Sequence, residues 1–485
     1  MLTSLEPQEL WKHFENLNAV PRPSKKEERV IEFMLKFGKD LNLETFQDEI
    51  GNVIIKKPAS KGMENRQTVI LQSHLDMVHQ KNESTQFDFD TQGIEMIVDG
   101  DWVRANGTTL GADNGIGVAA IMAVLSSTTI EHPAIEALFT IDEETGMTGA
   151  KELNGSHFNG TILLNLDTED DDELSIGCAG GIDTNTNYSY EEENIASDNI
   201  GVKISLRGLV GGHSGMDIDK GRGNANKWMV RFLYHLKSLI DLQLVSFEGG
   251  SLRNAIPREA TAIIAINKDQ LKIAENELEK VTAIFKDEFK HIEPEFQFTL
   301  EKIDSTHKKA VSQRDAERIL NVLYAVPNGV YRMSPAIPGL VETSSSLAIV
   351  EIKNGKCTTQ SLQRSSVESS KGDIANTIRA AFEAIGSSVV QGGDYPGWSP
   401  NNNSPILNQM AAIYRDLFSA EPQIKACHAG LECGILLQHL PNVDMISFGP
   451  NIRGAHSPDE CVQISSVQKF WQFFLTTLRQ IPTVS

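Results

Sequence analysis

His74 and Asp76 stand two residues apart at the end of the apolar run 68–76. In a strand, positions i and i+2 face the same side, so this imidazole and carboxylate project together. More acids follow, each just past a hydrophobic segment. Asp113 lies in Leu110-Gly-Ala-Asp-Asn-Gly-Ile-Gly, the pair Glu143-Glu144 comes after the run 135–141, and Asp167 comes after 161–166. Two histidines, His74 and His456, with several carboxylates suit a borderline-hard cation such as zinc, manganese or cobalt rather than a thiolate-bound ion. Small residues around Asp113 let the backbone pass close to an ion, and a carboxylate there could bridge two of them. Within the Glu143-Glu144 pair, one carboxylate can ligate while the other takes a proton from an attacking water. Spacing alone does not say which does which.

Taken singly, each of these acids also reads as a helix cap or a solvated turn. The agreement of the strand-end placements favours a site. His79, five residues beyond His74, is its nearest competitor. His132, His157 and His439 read as surface or packing histidines.

The elements that must position these residues form an α/β pattern. Residues 5–19 and 24–39 read as helices, the second opened by the capping-box pattern Ser24-Lys-Lys-Glu27. Strands at 52–56, 68–76, 135–141 and 161–166 alternate with a small-residue helix at 115–125, which argues for a sheet covered on both faces. Ligands of such sheets bind beyond the carboxyl ends of the strands, where the acids fall. From about 182 the order becomes strand 199–206, helix 223–239, strands 243–247 and 259–266, helix 268–289 and strand 295–302, a ferredoxin-like βαββαβ unit. A partial echo follows: helix 312–326, a hairpin of 341–352 and 356–366 across Asn354-Gly355, and helix 372–385. After residue 395 the α/β pattern resumes, with helix 406–418, strand 423–427, helix 431–440, strand 443–448 and a last helix at 465–478. The expected organisation is a discontinuous α/β catalytic domain, 1–181 and 389–485, carrying an inserted α+β domain at 182–388.

Charge and composition exclude several classes. The 44 basic against 65 acidic side chains give a formal charge of −21, which disfavours nucleic acid and anionic membrane as partners. The cysteines Cys178, Cys357, Cys427, Cys433 and Cys461 are scattered without a CxxC pair, so neither a disulfide framework nor a cysteine zinc site is expected. No basic segment followed by an apolar one opens the chain, and no stretch approaches the roughly 18 apolar residues of a membrane span. A cytoplasmic protein is the expectation.

Several blocks carry a resemblance. Ser73-His74-Leu75-Asp76-Met77-Val78, Gly111-Ala112-Asp113-Asn114-Gly115, Asp142-Glu143-Glu144-Thr145-Gly146, Asn165-Leu166-Asp167 and Gly454-Ala455-His456-Ser457 resemble the signature blocks of the co-catalytic zinc peptidases, the family of carnosinase and aminoacylase. Tyr395-Pro-Gly-Trp398 and His428-Ala-Gly-Leu-Glu432-Cys-Gly are similar to its aminoacyl-histidine dipeptidase branch. The resemblance implies two divalent ions, zinc before cobalt or manganese. One would be held by His74, Asp113 and Asp167, the other by Asp113, Glu144 and His456. Asp76 would orient His74, and Glu143 would be the general base acting on a metal-bridged water.

The inserted domain would be the family's lid. His213, in Gly211-Gly-His-Ser-Gly, would steady the oxyanion, and Asn254 and Arg364 would grip substrate, Arg364 through the free C-terminal carboxylate. Bland readings of these three are a glycine turn, a turn and a strand-edge charge. Glu432 is a candidate for the substrate's amino group, against a plain helix-start acid. The implied activity is hydrolysis of unblocked dipeptides, including X-His and β-alanyl-histidine. The alternatives are an N-acyl amino acid deacylase using the same metals and a metal-stabilised binding protein with a dead site. A homodimer is expected, although a lid of about 200 residues could let His213 act within its own chain.

Overall fold

The runs Val69–His74, Ile135–Thr140 and Ile162–Asn165 are buried at every position, and Asp444–Ser447 at all but its first. Strands without an exposed face belong in the interior of a helix-covered sheet. A computed structural model, which describes residues 2–304 and 307–484, places them side by side in the order Ile135–Thr140, Val69–His74, Ile162–Asn165, Asp444–Ser447. All three pairings are parallel. Val53–Lys57 and Glu44–Gln47 extend the sheet antiparallel on one side, and Glu173–Cys178 and Gln423–Cys427 complete eight strands on the other. The four parallel strands finish on one edge. Whatever follows them in sequence is therefore delivered to a single rim.

Helix Ala112–Ser126 is buried along nearly its whole length, including Gly115, Gly117, Ala119 and Ala120. A Cβ on Gly117 would sit 2.7 Å from the Leu166 carbonyl oxygen and 2.5 Å from Ser73 Oγ. The glycine lets the helix lie directly against two strand ends, immediately before Asp167 and His74.

The chain divides into two units: Met1–Gly177, Trp398–Ala426 and Leu431–Ser485 form the first, Cys178–Gly397 and Cys427–Gly430 the second. Residues 1, 305, 306 and 485 of the expected domain spans lie outside the described residues. In the second unit the strands Gln297–Ile303, Asn199–Arg207, Ala260–Asn267 and Leu242–Gly249 are neighbours in that order, all antiparallel. Numbered by sequence this is 4-1-3-2, the order of a ferredoxin-like sheet. The sheet continues through Val341–Lys353, Lys356–Ser365, Gly180–Ser189 and Ser388–Tyr395. Read from its far edge, this half repeats the 4-1-3-2 order, with Gly180–Ser189 as its first strand. One βαββαβ unit is thus inserted into another, between the first strand and first helix of the host. Gly180–Ser189 and Ser388–Tyr395 reach past the expected limits of 182 and 388. Trp228 stacks on Phe285 at 4.4 Å in the core of this unit, beside Phe232 and Phe298.

The expected capping box is not formed. The helix begins at Glu28 with no side-chain cap. Ser24 Oγ donates instead to Asp76 Oδ2 at 2.8 Å, and Glu27 Oε1 accepts from the backbone N–H of Asp142 at 3.2 Å. A charged acceptor on the rim orients the hydroxyl toward itself and away from the helix N–H groups. Among the described residues no helix is long and apolar enough to cross a membrane.

The tight seat of Gly117 makes a direct test. Gly117→Ala forces a methyl into the strand backbone and is expected to cost about 1–3 kcal/mol, seen as a lower unfolding midpoint in denaturant. An unchanged midpoint would mean the helix is not held against these strand ends.

Candidate metal centre

His74 closes its strand, Asp167 follows Asn165 by two positions, and the turn after Thr140 carries Glu143 and Glu144. Asp113 stands where the chain enters helix Ala112–Ser126, with non-helical backbone at Asp113 and Asn114. His456 lies in the loop joining Ile452–Arg453 to Cys461–Gln463, two strands of a small sheet completed by Trp102–Ala105 and Met96–Asp99. Elements far apart in sequence thus deliver these side chains to one place.

Asp113 is at its centre. Its Oδ1 lies 3.1 Å from His74 Nε2 and its Oδ2 3.3 Å from His456 Nε2. His74 Nε2 is also 3.6 Å from Asp167 Oδ1, and His456 Nε2 is 2.9 Å from Glu144 Oε2. His74–Asp113–Asp167 and Asp113–Glu144–His456 each bring their potential ligand atoms within 4.8 Å of one another, as does His74–Glu143–Glu144.

The electrostatics describe a surplus of negative charge. Burial pushes Asp167 up to about 6, with Asp113 and Glu144 adding to the rise against the pull of His74. Burial likewise holds Glu143 well above the usual carboxylate range, with Asp167, Glu432 and Glu144 adding to it. Hydrogen bonds donated to Asp113 and Glu144 hold the His456 imidazole up at about 11. Burial alone would lower His74, yet Asp167, Asp113 and Asp76 hold it well above its ordinary value. Glu144 Oε1 is buried with no hydrogen-bond partner. Imidazoles and carboxylates that crowd together, leave an orphan oxygen and lack enough positive charge fit divalent cations.

Residues 70–480 match the model of peptidase family M20/M25/M40. The chain belongs to this family. It is 41% identical over 481 residues, 99% of each chain, to the cytosol non-specific dipeptidase of Escherichia coli. It is also similar to the crystal structure of aminoacylhistidine dipeptidase from Vibrio alginolyticus, at 42% identity and a TM-score of 0.93, covering 100% of this chain and 99% of that one. Aminopeptidase PepT from Bacillus cereus shares the fold at 15% identity and a TM-score of 0.56, covering 98% of this chain and 99% of that one.

In this M20/M25/M40 chain, Asp76 has more to hold than His74. His74 Nδ1 lies 3.1 Å from the Asp76 carbonyl and 3.4 Å from Asp76 Oδ1, which leaves Nε2 facing Asp113. The same carboxylate accepts the backbone N–H groups of Glu143 at 3.0 Å and Glu144 at 3.2 Å. One buried acid therefore sets both the ring and the acidic turn.

Glu432 begins helix Glu432–His439 and is 1% exposed. Its Oε2 accepts from Gln72 Nε2 at 2.6 Å and Thr140 Oγ1 at 2.8 Å, while Oε1 has no partner. His79 packs edge-on against Phe89, His132 Nδ1 donates to the Pro133 carbonyl, His157 packs edge-on against Phe46, and His439 Nε2 donates to the Lys151 carbonyl.

In the second unit, Gly212–His213 pairs with Ala255–Ile256, and Ser214 N donates to the Asn254 carbonyl at 2.8 Å. His213 and Asn254 are thus neighbours. His213 Nδ1 accepts from the N–H groups of Gly215 and Met216 at 3.2 and 3.0 Å, which fixes the tautomer with hydrogen on Nε2. Arg364 is 5% exposed. Its Nη1 donates to Tyr395 Oη at 2.6 Å and its Nε has no partner. His428, which sequence reasoning placed in a block without giving it a role, has its Nε2 2.7 Å from Ser344 Oγ. Arg22, Ser24 and Glu460 were also missed, because their partners at the rim are 50 or more residues away. Only the Ser24-to-Glu27 pattern offered any signal, and it pointed to a cap.

Asp76→Asn keeps the shape but removes the charge that holds ring and turn. Zinc affinity of the metal-free protein is expected to fall roughly 10–100-fold in a chelator-competition titration. Wild-type affinity would show that Asp76 does not support the site.

Proposed function

We propose that the chain is a two-metal dipeptidase that hydrolyses unblocked dipeptides, including X-His and β-alanyl-histidine substrates. The observation that carries this reading is Asp113, whose two carboxylate oxygens each face a different imidazole. His74, Asp113 and Asp167 would hold one cation, and Asp113, Glu144 and His456 the other. The donor set suits zinc first, with cobalt or manganese as substitutes. Such cations, when bound, would supply Lewis acidity for activating the attacking water and polarising the scissile carbonyl.

The chain's own residues do the rest. Glu143, its backbone pinned by Asp76, takes the proton of the attacking water and delivers it to the departing amine. His213 presents Nε2–H to the oxygen on which charge develops. Arg364, with an unused Nε–H, takes the terminal carboxylate, Asn254 contributes to substrate binding, and Glu432 receives the free amino group through Oε1. The names of the Escherichia coli and Vibrio alginolyticus relatives support dipeptides as the substrate class, and the former supports a cytoplasmic location. A homodimer is the proposed assembly. An active monomer in sedimentation would overturn it.

Glu143→Ala is expected to lower turnover of Ala-His roughly 10²–10⁴-fold while zinc content stays at the wild-type level. Undiminished turnover would remove Glu143 from the mechanism. Wild-type enzyme should cleave Ala-His and leave N-acetyl-His largely intact. The opposite preference would make the protein a deacylase. Chelation should abolish hydrolysis, and zinc, manganese or cobalt should restore it; no hydrolysis under any condition would indicate a binding protein.

A further inference from the structure

Where the chain bends into helix Ala112–Ser126, four consecutive backbone N–H groups point the same way, and one side chain receives them all. Glu460 Oε2 accepts from Leu110 at 2.6 Å and Gly111 at 2.8 Å, and Oε1 accepts from Ala112 at 2.8 Å and Asp113 at 3.2 Å. Glu460 is 2% exposed. Gly111 has φ +70°, which helps successive amides converge on one anion.

The same carboxylate is only four residues beyond His456. Ser457 N donates to the Gly454 carbonyl and Glu460 N to the Ser457 carbonyl, making a tight loop between histidine and acid. Cys461 then enters a strand paired with Trp102–Ala105, at Arg104. The loop carrying His456 and the turn carrying Asp113 therefore rest on neighbouring strands, and Glu460 ties the loop to the backbone of the turn. On the turn's other side Arg22, 1% exposed, donates from Nη2 to the Gly111 carbonyl at 2.5 Å. Its Nη1 reaches the carbonyls of Leu75 and Asp76 at 3.0 and 3.1 Å.

We propose that Glu460 is a positioning residue that sets the spacing between Asp113 and His456, so that the Asp113–Glu144–His456 triad binds its cation only while this carboxylate spans the two loops. The inference rests on the two-metal reading above. The two triads depend on it unequally. His74 and Asp167 lie at the ends of directly paired strands, and Arg22 still links the Asp113 turn to the His74 strand when Glu460 is altered. The His456 loop loses its tie to Asp113. A glutamine at 460 keeps the volume but offers one oxygen, and its NH2 group faces backbone N–H donors. An aspartate keeps the charge but falls one methylene short.

The experiment titrates zinc into metal-free wild type, Glu460→Gln and Glu460→Asp against a chromophoric chelator, with circular dichroism to establish folding. Wild type should bind two ions. In the glutamine variant the tighter ion should stay within about threefold of wild type while the weaker loses roughly 30–100-fold. The aspartate variant should lose about tenfold at the same site. A folded glutamine variant that binds both ions as wild type does, or loses both alike, would overturn the proposal. If the glutamine variant does not fold, the aspartate variant decides: selective loss of one ion supports the proposal and wild-type binding overturns it. Fewer than two ions on wild type would remove the two-metal reading itself, an outcome distinct from normal wild-type binding with an insensitive variant.

Discussion

The structure is organised around buried negative charge that its own imidazoles do not balance. Asp76, Asp113, Glu143, Glu144 and Asp167 meet His74 and His456 at one rim, with Glu169 and Glu432 close enough to feel them. Desolvating a carboxylate costs several kcal/mol unless something compensates. The shifts at Asp167 and Glu143 are the form that cost takes, since each group is driven toward its neutral state. Divalent cations would relieve it by supplying charge where Asp113 turns its two oxygens apart.

Such a cluster has to be held open against its own repulsion, and the backbone does much of the holding. Parallel strands fix His74 and Asp167. Asp76 uses backbone N–H groups to seat the Glu143-Glu144 turn, and Arg22 uses backbone carbonyls to join the Asp113 turn to the His74 strand. Each brace is a charged, buried side chain satisfied mainly by main-chain groups, which are geometrically fixed and cannot titrate. The fold thereby uses main-chain groups for position and leaves the facing oxygens of Asp113, Glu144 and Asp167 directed at the two imidazoles.

How much of this the sequence reveals follows from what each residue touches. The central strands are legible because burial on both faces leaves continuous apolar runs, and His74, Glu143, Glu144 and Asp167 are legible because they end those runs. The first ferredoxin-like order is legible from the alternation of apolar and polar residues along its strands, which are buried mainly on one face. The strand Gly180–Ser189 is not, since Thr184 and Thr186 are buried as polar pairs with Gln363 and Thr359 and erase the alternation of apolar and polar residues. Without that strand the second ferredoxin-like half shows only as a partial echo. Ser24-Lys-Lys-Glu27 misleads because a cap is read from local spacing, while the hydroxyl is oriented by Asp76, which is remote in sequence. Arg22 and Glu460 leave no local trace, as their partners are backbone atoms contributed by distant segments.

In the proposed site Asp113 would serve both cations. Anomalous diffraction at the zinc edge from zinc-loaded crystals would show this. Two peaks flanking Asp113 are expected, one beside His74 and Asp167 and the other beside Glu144 and His456. A single peak, or zinc bound away from Asp113, would contradict it.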